Sequence, residues 1–199
     1  LRSEARDSSE MVSQVLFGEK LIVLEELEKW TKVQLAFDGY EGWLDPKQIV
    51  EISEEEYNLN SIEKFAINPY NHAMEGGLPM TLTIGAEVRA LNESKIKIGQ
   101  KCFEYFGVYT SGKKSKEQLV EIAKAYLNVP YLWGGKSSFG IDCSGLTQQV
   151  YKIGGYKIPR DAYQQAEMGD VLSFVEEAEP GDLAFFDNAE GRIIHVGIM

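Results

Sequence analysis

Asp142-Cys143-Ser144 stands where a glycine-rich loop, GGKSSFGI, gives way to the helical pattern CSGLTQQVYKI. A thiol attacks carbonyls well only as a thiolate, and the free N–H groups and dipole of a helix start favour that anion. The backbone N–H of Cys143 could also steady an oxyanion developing on the attacked group. Gly140 and Gly145 flank the site and allow a tight turn and close approach of a substrate. Such a thiol needs a base, and the chain has two histidines. His72 falls in the proline- and glycine-rich stretch NPYNHAMEGGLPM, in a different predicted domain. His195 lies in RIIHVGIM, where alternation puts it on one face with Ile193, Gly197 and Met199. Gly197 leaves space beside the imidazole, and a thiol across a helix–strand contact would be its polar partner. Taken singly, a strand histidine is more often a hydrogen-bonded core residue, and a lone cysteine means little. The glycines, the helix onset and the later histidine strand together point to a Cys–His pair.

Composition narrows the alternatives. The 199 residues are 44% hydrophobic and 26% charged, the balance of a folded globular protein. A net charge of −11 argues against a nucleic-acid binder, which needs a basic face to neutralise phosphates. No stretch approaches the roughly 18 apolar residues of a membrane span. The sparse Cys and His have no zinc-type spacing, so neither metal nor organic cofactor is expected. Two cysteines make no disulfide framework. Cys102, in KCFEYFGVY, reads as a small buried residue of an alternating strand.

Three segments position these residues. Residues 1–53 read as a small barrel of short strands: MVSQVLF, KLIVLEE, then WTKVQLAF with Val33, Leu35 and Phe37 on one face. Asp38-Gly39 is a hairpin signal, and Pro46 stops the next strand, YEGWLD. Residues 54–110 hold a short helical start, SEEEYNLNSIEKFA. Two strand runs follow, TLTIGAEVRAL and KIKIGQKCFEYFGVY, in a second barrel-like or linker domain. From 111 the pattern is α+β. KEQLVEIAKAYLN places Leu119, Ile122, Ala123, Tyr126 and Leu127 on one helical face; the helix with Cys143 and the strands LAFFD and RIIHVGIM come later. The chain starts without an initiator Met and stops at Met199 inside a strand, so it is expected to be incomplete.

The series PYLWGG, DCSGL, IPRDAYQQ, EPGDLAFF and HVGIM resembles, in order and spacing, the NlpC/P60 family of papain-like cysteine peptidases. LFGE followed by a W-x-x-V strand and GYEGWL is similar to bacterial SH3 domains. The expected fold is thus α+β, a papain-like NlpC/P60 domain preceded by one or two SH3-like barrels. The resemblance implies Cys143 as nucleophile, His195 as general base and peptidoglycan stem peptides as substrate, cut after γ-linked D-glutamate. The family's third catalytic residue, which orients the base, would lie beyond Met199.

Barrels before such a domain resemble the dipeptidyl-peptidase VI type, which releases L-Ala-γ-D-Glu from peptides with a free N-terminal amine. Asp142 and Ser144 match the positions that hold the amine. A carboxylate beside a thiolate is otherwise unhelpful, since it raises a thiol's pKa. Tyr131 and Trp133 match substrate-lining positions, and Glu10 and Tyr40 resemble the barrel residues closing the pocket; ordinary core aromatics, a solvated Glu and a hairpin Tyr are the plain alternatives. Arg160-Asp161 reads as a structural pair. Free-amine peptides arise mainly after amidase trimming, which favours recycling in the cytoplasm over the periplasm or cell envelope. Two other functions remain open: a non-catalytic wall-binding protein with a degenerate last domain, and an acyltransferase or amidase with the same Cys–His pair. Oligomeric state is not legible.

Overall fold

In the computed structural model, which describes residues 1–59, 63–88 and 91–199, the alternation of Val33 and Leu35 becomes a strand buried on one face. Strands β1 (Leu21–Glu26), β2 (Thr31–Leu35) and β3 (Glu41–Leu44) form an antiparallel sheet in that order. Asp38-Gly39 makes the β2–β3 turn: Gly39 has φ +76°, and Asp38 Oδ1 accepts the Tyr40 N–H. Arg2 adds to the free edge of β3 by pairing with Trp43, and bridges Met11 as well. The expected strand MVSQVLF is instead an extended arm past Met11. Its polar groups serve the last domain: Gln14 Oε1 accepts the Lys136 N–H, and Ser13 Oγ accepts from Arg160 Nε.

Ser53 caps a short helix, α1 (Glu54–Asn58), through the Glu56 N–H. The rest of that expected helical start includes residues 60–62, outside the described residues, and then becomes strand β4 (Lys64–Ala66). The proline- and glycine-rich stretch hides a hairpin, β5 (Asn71–Glu75) and β6 (Leu78–Leu82), turned by Gly76-Gly77, both at positive φ. The expected strand TLTIGAEVRAL is regular up to Leu82, and its residues 89–90 lie outside the described residues. Strands β7 (Leu91–Asn92), β8 (Lys95–Ile98) and β9 (Lys101–Phe106) complete a five-stranded sheet in the order β6-β5-β9-β8-β7, while β10 (Tyr109–Ser111) pairs with β4. Ala73, Leu82, Ile96, Phe103 and Tyr105 form its core. Cys102 is a correction: it is exposed. Phe103 and Tyr105 claim the inner face of β9, and alternation sends Cys102 outward with Glu104.

The last domain begins at α2 (Lys116–Lys124), opened by a Ser115–Gln118 capping box. It buries Leu119, and Tyr126 follows just beyond it, whereas Leu127 is exposed. A two-stranded hairpin, β11 (Lys136–Ser137) and β12 (Gly140–Ile141), leads into α3 (Cys143–Ile153). A single turn, α4 (Ala162–Gln165), precedes the hairpin of β13 (Leu183–Asp187) and β14 (Ile193–Ile198). The cores interlock. Phe17 of the first barrel packs edge-on against Phe103 at 5.1 Å, and Phe65 and Ile84 of the middle unit join Tyr126, Ile141 and Ile153 of the last domain. No helix among the described residues is long and apolar enough to cross a membrane.

Candidate active site

Cys143 is the first residue of α3, and Asp142 is its N-cap, accepting the Gly145 N–H at 2.6 Å. The other oxygen of Asp142 accepts the Gly134 N–H at 2.8 Å. Arg160 grips both oxygens, at 3.0 and 2.7 Å, and donates to Ser144 Oγ at 2.9 Å. The group is buried, so solvent screens the guanidinium–carboxylate pairing beside the sulfur little. With Gly145 capped by Asp142, the N–H of Cys143 at the helix start is free of any intrahelical acceptor. Gly145 is required by space: a Cβ there would stand 2.2 Å from the Gly135 carbonyl oxygen and 2.8 Å from Asp142 Oδ1. From the other side Gln165 donates to the Ser144 and Pro159 carbonyls and accepts from Thr147, clamping the first turn of α3.

The sulfur is half-buried, neither sealed nor fully open. Tyr131 and Trp133 are 65% and 62% exposed, which excludes ordinary core aromatics. Burial, and after it the nearby Cys143 and Asp142 side chains, push the Tyr131 hydroxyl above its usual range. The strand β14 packs against α3 and α4, so the element bearing His195 meets the helix bearing Cys143. His195 is exposed and lies against Phe186, its cross-strand partner, with ring centroids 5.7 Å apart. Gly197 leaves open space, with nothing within 4 Å of where a methyl group would stand. Among the described residues neither imidazole nitrogen of His195 has a hydrogen bond within the chain, to Cys143 or to any other group.

Two barrel residues reach this site. Trp133 Nε1 donates to Glu10 at 2.7 Å, and the Tyr40 hydroxyl points at Asp161 Oδ1 at 3.5 Å. Burial, and secondarily the Asp161 charge, push Tyr40 up to about 12. Burial, with Asp142 and Asp38 nearby, raises Asp161 against the pull of Arg160. The barrel thus meets the last domain at two points, Glu10 with Trp133 and Tyr40 with Asp161, each one residue from a group bonded to Asp142: Gly134 and Arg160.

Known protein families match both ends of the chain. The NlpC/P60 family matches residues 128–199, and the bacterial dipeptidyl-peptidase Sh3 domain matches residues 1–49. A gamma-D-glutamyl-L-lysine dipeptidyl-peptidase of Bacillus subtilis (strain 168) is 32% identical over 94% of this chain and 68% of its own length. The chain belongs to the NlpC/P60 family. A Bacillus cereus protein of the same description is 27% identical over 96% of this chain and 65% of its own. The chain therefore spans about two thirds of the length of these relatives. The crystal structure of an NlpC/P60 family protein from Bacillus cereus ATCC 10987 superposes with a TM-score of 0.82 at 27% identity, covering 94% of this chain and 70% of that one. The fold is α+β, an NlpC/P60 domain preceded by SH3-like barrel structure.

Within the NlpC/P60 domain the expected pairing of Arg160 with Asp161 is replaced. Arg160 pairs with Asp142, and Asp161 turns to Tyr40 of the barrel. Asp142 needs no bound cation to explain it, since its countercharge is Arg160. Its oxygens, and the Ser144 hydroxyl, already have partners in the chain. The contact of Asp161 with Tyr40 was not legible in the sequence because its partner stands in another domain.

Proposed function

We propose that this chain is a cysteine peptidase that hydrolyses the γ-D-glutamyl–diamino acid bond of peptidoglycan stem peptides with a free N-terminal L-Ala. Cys143 at the start of α3 attacks the γ-carbonyl, forming a thioester while the oxyanion meets the Cys143 N–H. His195, as imidazolium, gives its proton to the leaving amine and then takes one from the water that hydrolyses the thioester. Apo geometry in such sites is commonly loose and tightens with substrate. L-Ala-γ-D-Glu leaves with its α-amine as it came.

The observation that carries the reading is the two-domain mouth. In this reading the two barrel contacts line one mouth, in which Glu10 and Asp161 offer carboxylates, Tyr40 a hydroxyl and Trp133 an apolar wall. An ammonium suits that set. Asp142 and Ser144 act by holding the first turn of α3 and adding local field. A free amine also implies a peptide already trimmed from its glycan, consistent with recycling in the cytoplasm.

Incubation with L-Ala-γ-D-Glu-L-Lys should release the dipeptide, with loss of the activity in Cys143→Ala. The N-acetylated peptide should resist. Equal cleavage of both peptides would refute the amine requirement. The unpartnered His195 favours one second reading, a wall-peptide binder without turnover, and binding with no product would establish it.

A further inference from the structure

The three parts of the chain meet at four buried charges. Glu19 of the first barrel accepts from Lys136 at 3.1 Å and from Lys152 at 2.5 Å, and Lys152 also reaches Glu87 of the middle unit at 2.7 Å. None of these side chains is more than 3% exposed. The second Glu19 oxygen accepts the Leu16 N–H at 2.7 Å. A buried cluster of this kind is commonly no more stabilising than apolar residues of equal volume. Its bonds, however, close at a single placement of the three parts.

The cluster is wired to the site along two strands of chain. Lys136 lies three residues after Trp133, and its N–H is held by Gln14 Oε1 at 2.7 Å. Gly134, at φ +77°, approaches Met11 so closely that a Cβ would stand 2.3 Å from the Met11 carbonyl oxygen. The arm from Glu10 to Glu19 therefore runs along the loop from Trp133 to Lys136. Glu10 meets Trp133 at the open end, and Glu19 meets Lys136 at the sealed end. Lys152 brings the far end of α3, the nucleophile's helix, into the same anchor.

We propose that Glu19 is a positioning residue for the amine mouth: by binding Lys136 and Lys152 it fixes where Glu10 stands relative to Cys143. It rests on the reading that this mouth grips the substrate's ammonium. Glu19 touches no substrate, so its loss acts chiefly on substrate selection, through the placement of Glu10. Misplacement by about 1 Å is enough to cost large factors in such a site.

The test compares the whole chain with Glu19→Gln and the shorter, still charged Glu19→Asp, on L-Ala-γ-D-Glu-L-Lys and its N-acetyl form. Circular dichroism and the rate of Cys143 alkylation report folding and the state of α3. Glu19→Gln should raise KM for the free peptide about tenfold and narrow the preference over the acetylated peptide by a similar factor, with kcat within about twofold. Glu19→Asp should move both in the same direction by less. A fall in kcat with KM and preference unchanged is the mark of a merely structural residue and would overturn the proposal. So would failure of both variants to fold. Wild-type protein that cleaves both peptides equally would remove the amine mouth itself; a wild-type preference retained in both variants would remove Glu19's part alone.

Discussion

A carboxylate next to a thiolate raises the energy of the anion unless something cancels its charge. At residue scale the chain answers with Arg160, which takes both Asp142 oxygens and the Ser144 hydroxyl. That leaves Asp161, one residue along, to face the barrel, and its acidity carries a prediction. Burial raises the Asp161 carboxyl above the ordinary carboxylate range, so on acidification it takes a proton, and loses its charge, sooner than a free aspartate. If it holds the ammonium, kcat/KM for the free-amine peptide should fall on the acid side from a higher pH than a normal carboxylate would give. Asp161→Asn should lower kcat/KM at neutral pH by about tenfold or more and flatten that limb, because a hydrogen bond to a charged group is worth about 1.5–3 kcal/mol. An unchanged acid limb in the variant would assign it to another group.

At the scale of elements, the start of α3 depends on a glycine that nothing can replace without moving backbone. Gly145→Ala should destabilise the domain by about 1–3 kcal/mol in urea unfolding and slow Cys143 alkylation, since the methyl would press on Gly135 and Asp142. Unchanged stability would mean that the β11–β12 hairpin yields freely. The helix onset itself was legible in DCSGL, as was the turn at Asp38-Gly39, because caps and tight turns are local chemistry. Cys102 was misplaced although Glu104, two residues on, shared its face and announced solvent. MVSQVLF alternates like a strand, yet its polar groups are used by Lys136 and Arg160. Likewise Arg160 and Asp161 choose partners in different domains. Those choices depend on contacts between residues far apart in the chain, which spacing in one sequence does not carry.

Over the whole molecule, charge as well as apolar surface joins the barrel, the middle unit and the NlpC/P60 domain. Burial opposes ionisation of Glu19, but the Lys136 and Lys152 ammonium groups outweigh it and hold the carboxyl at about 2, below its ordinary 4.5. Since the folded value is the lower one, this group adds stability above pH 4.5 and loses it as pH falls from 4.5 towards 2. The groups facing it are Lys136, Lys152 and the Tyr126 hydroxyl, with Glu87 beyond Lys152. Glu19→Gln should therefore cost about 3–5 kcal/mol at neutral pH, as expected when one partner of a buried pair is removed. The gap from wild type should narrow in urea titrations run at successively lower pH. A gap independent of pH would show that the carboxylate charge is not what joins the parts.

The central claim, that Cys143 is the acylated nucleophile, is tested most directly by mass spectrometry of protein quenched during turnover of L-Ala-γ-D-Glu-L-Lys. A thioester of L-Ala-γ-D-Glu on the peptide containing Cys143, absent from Cys143→Ala, is the predicted result. Dipeptide release that persists in Cys143→Ala, or an adduct confined to Cys102, would contradict it.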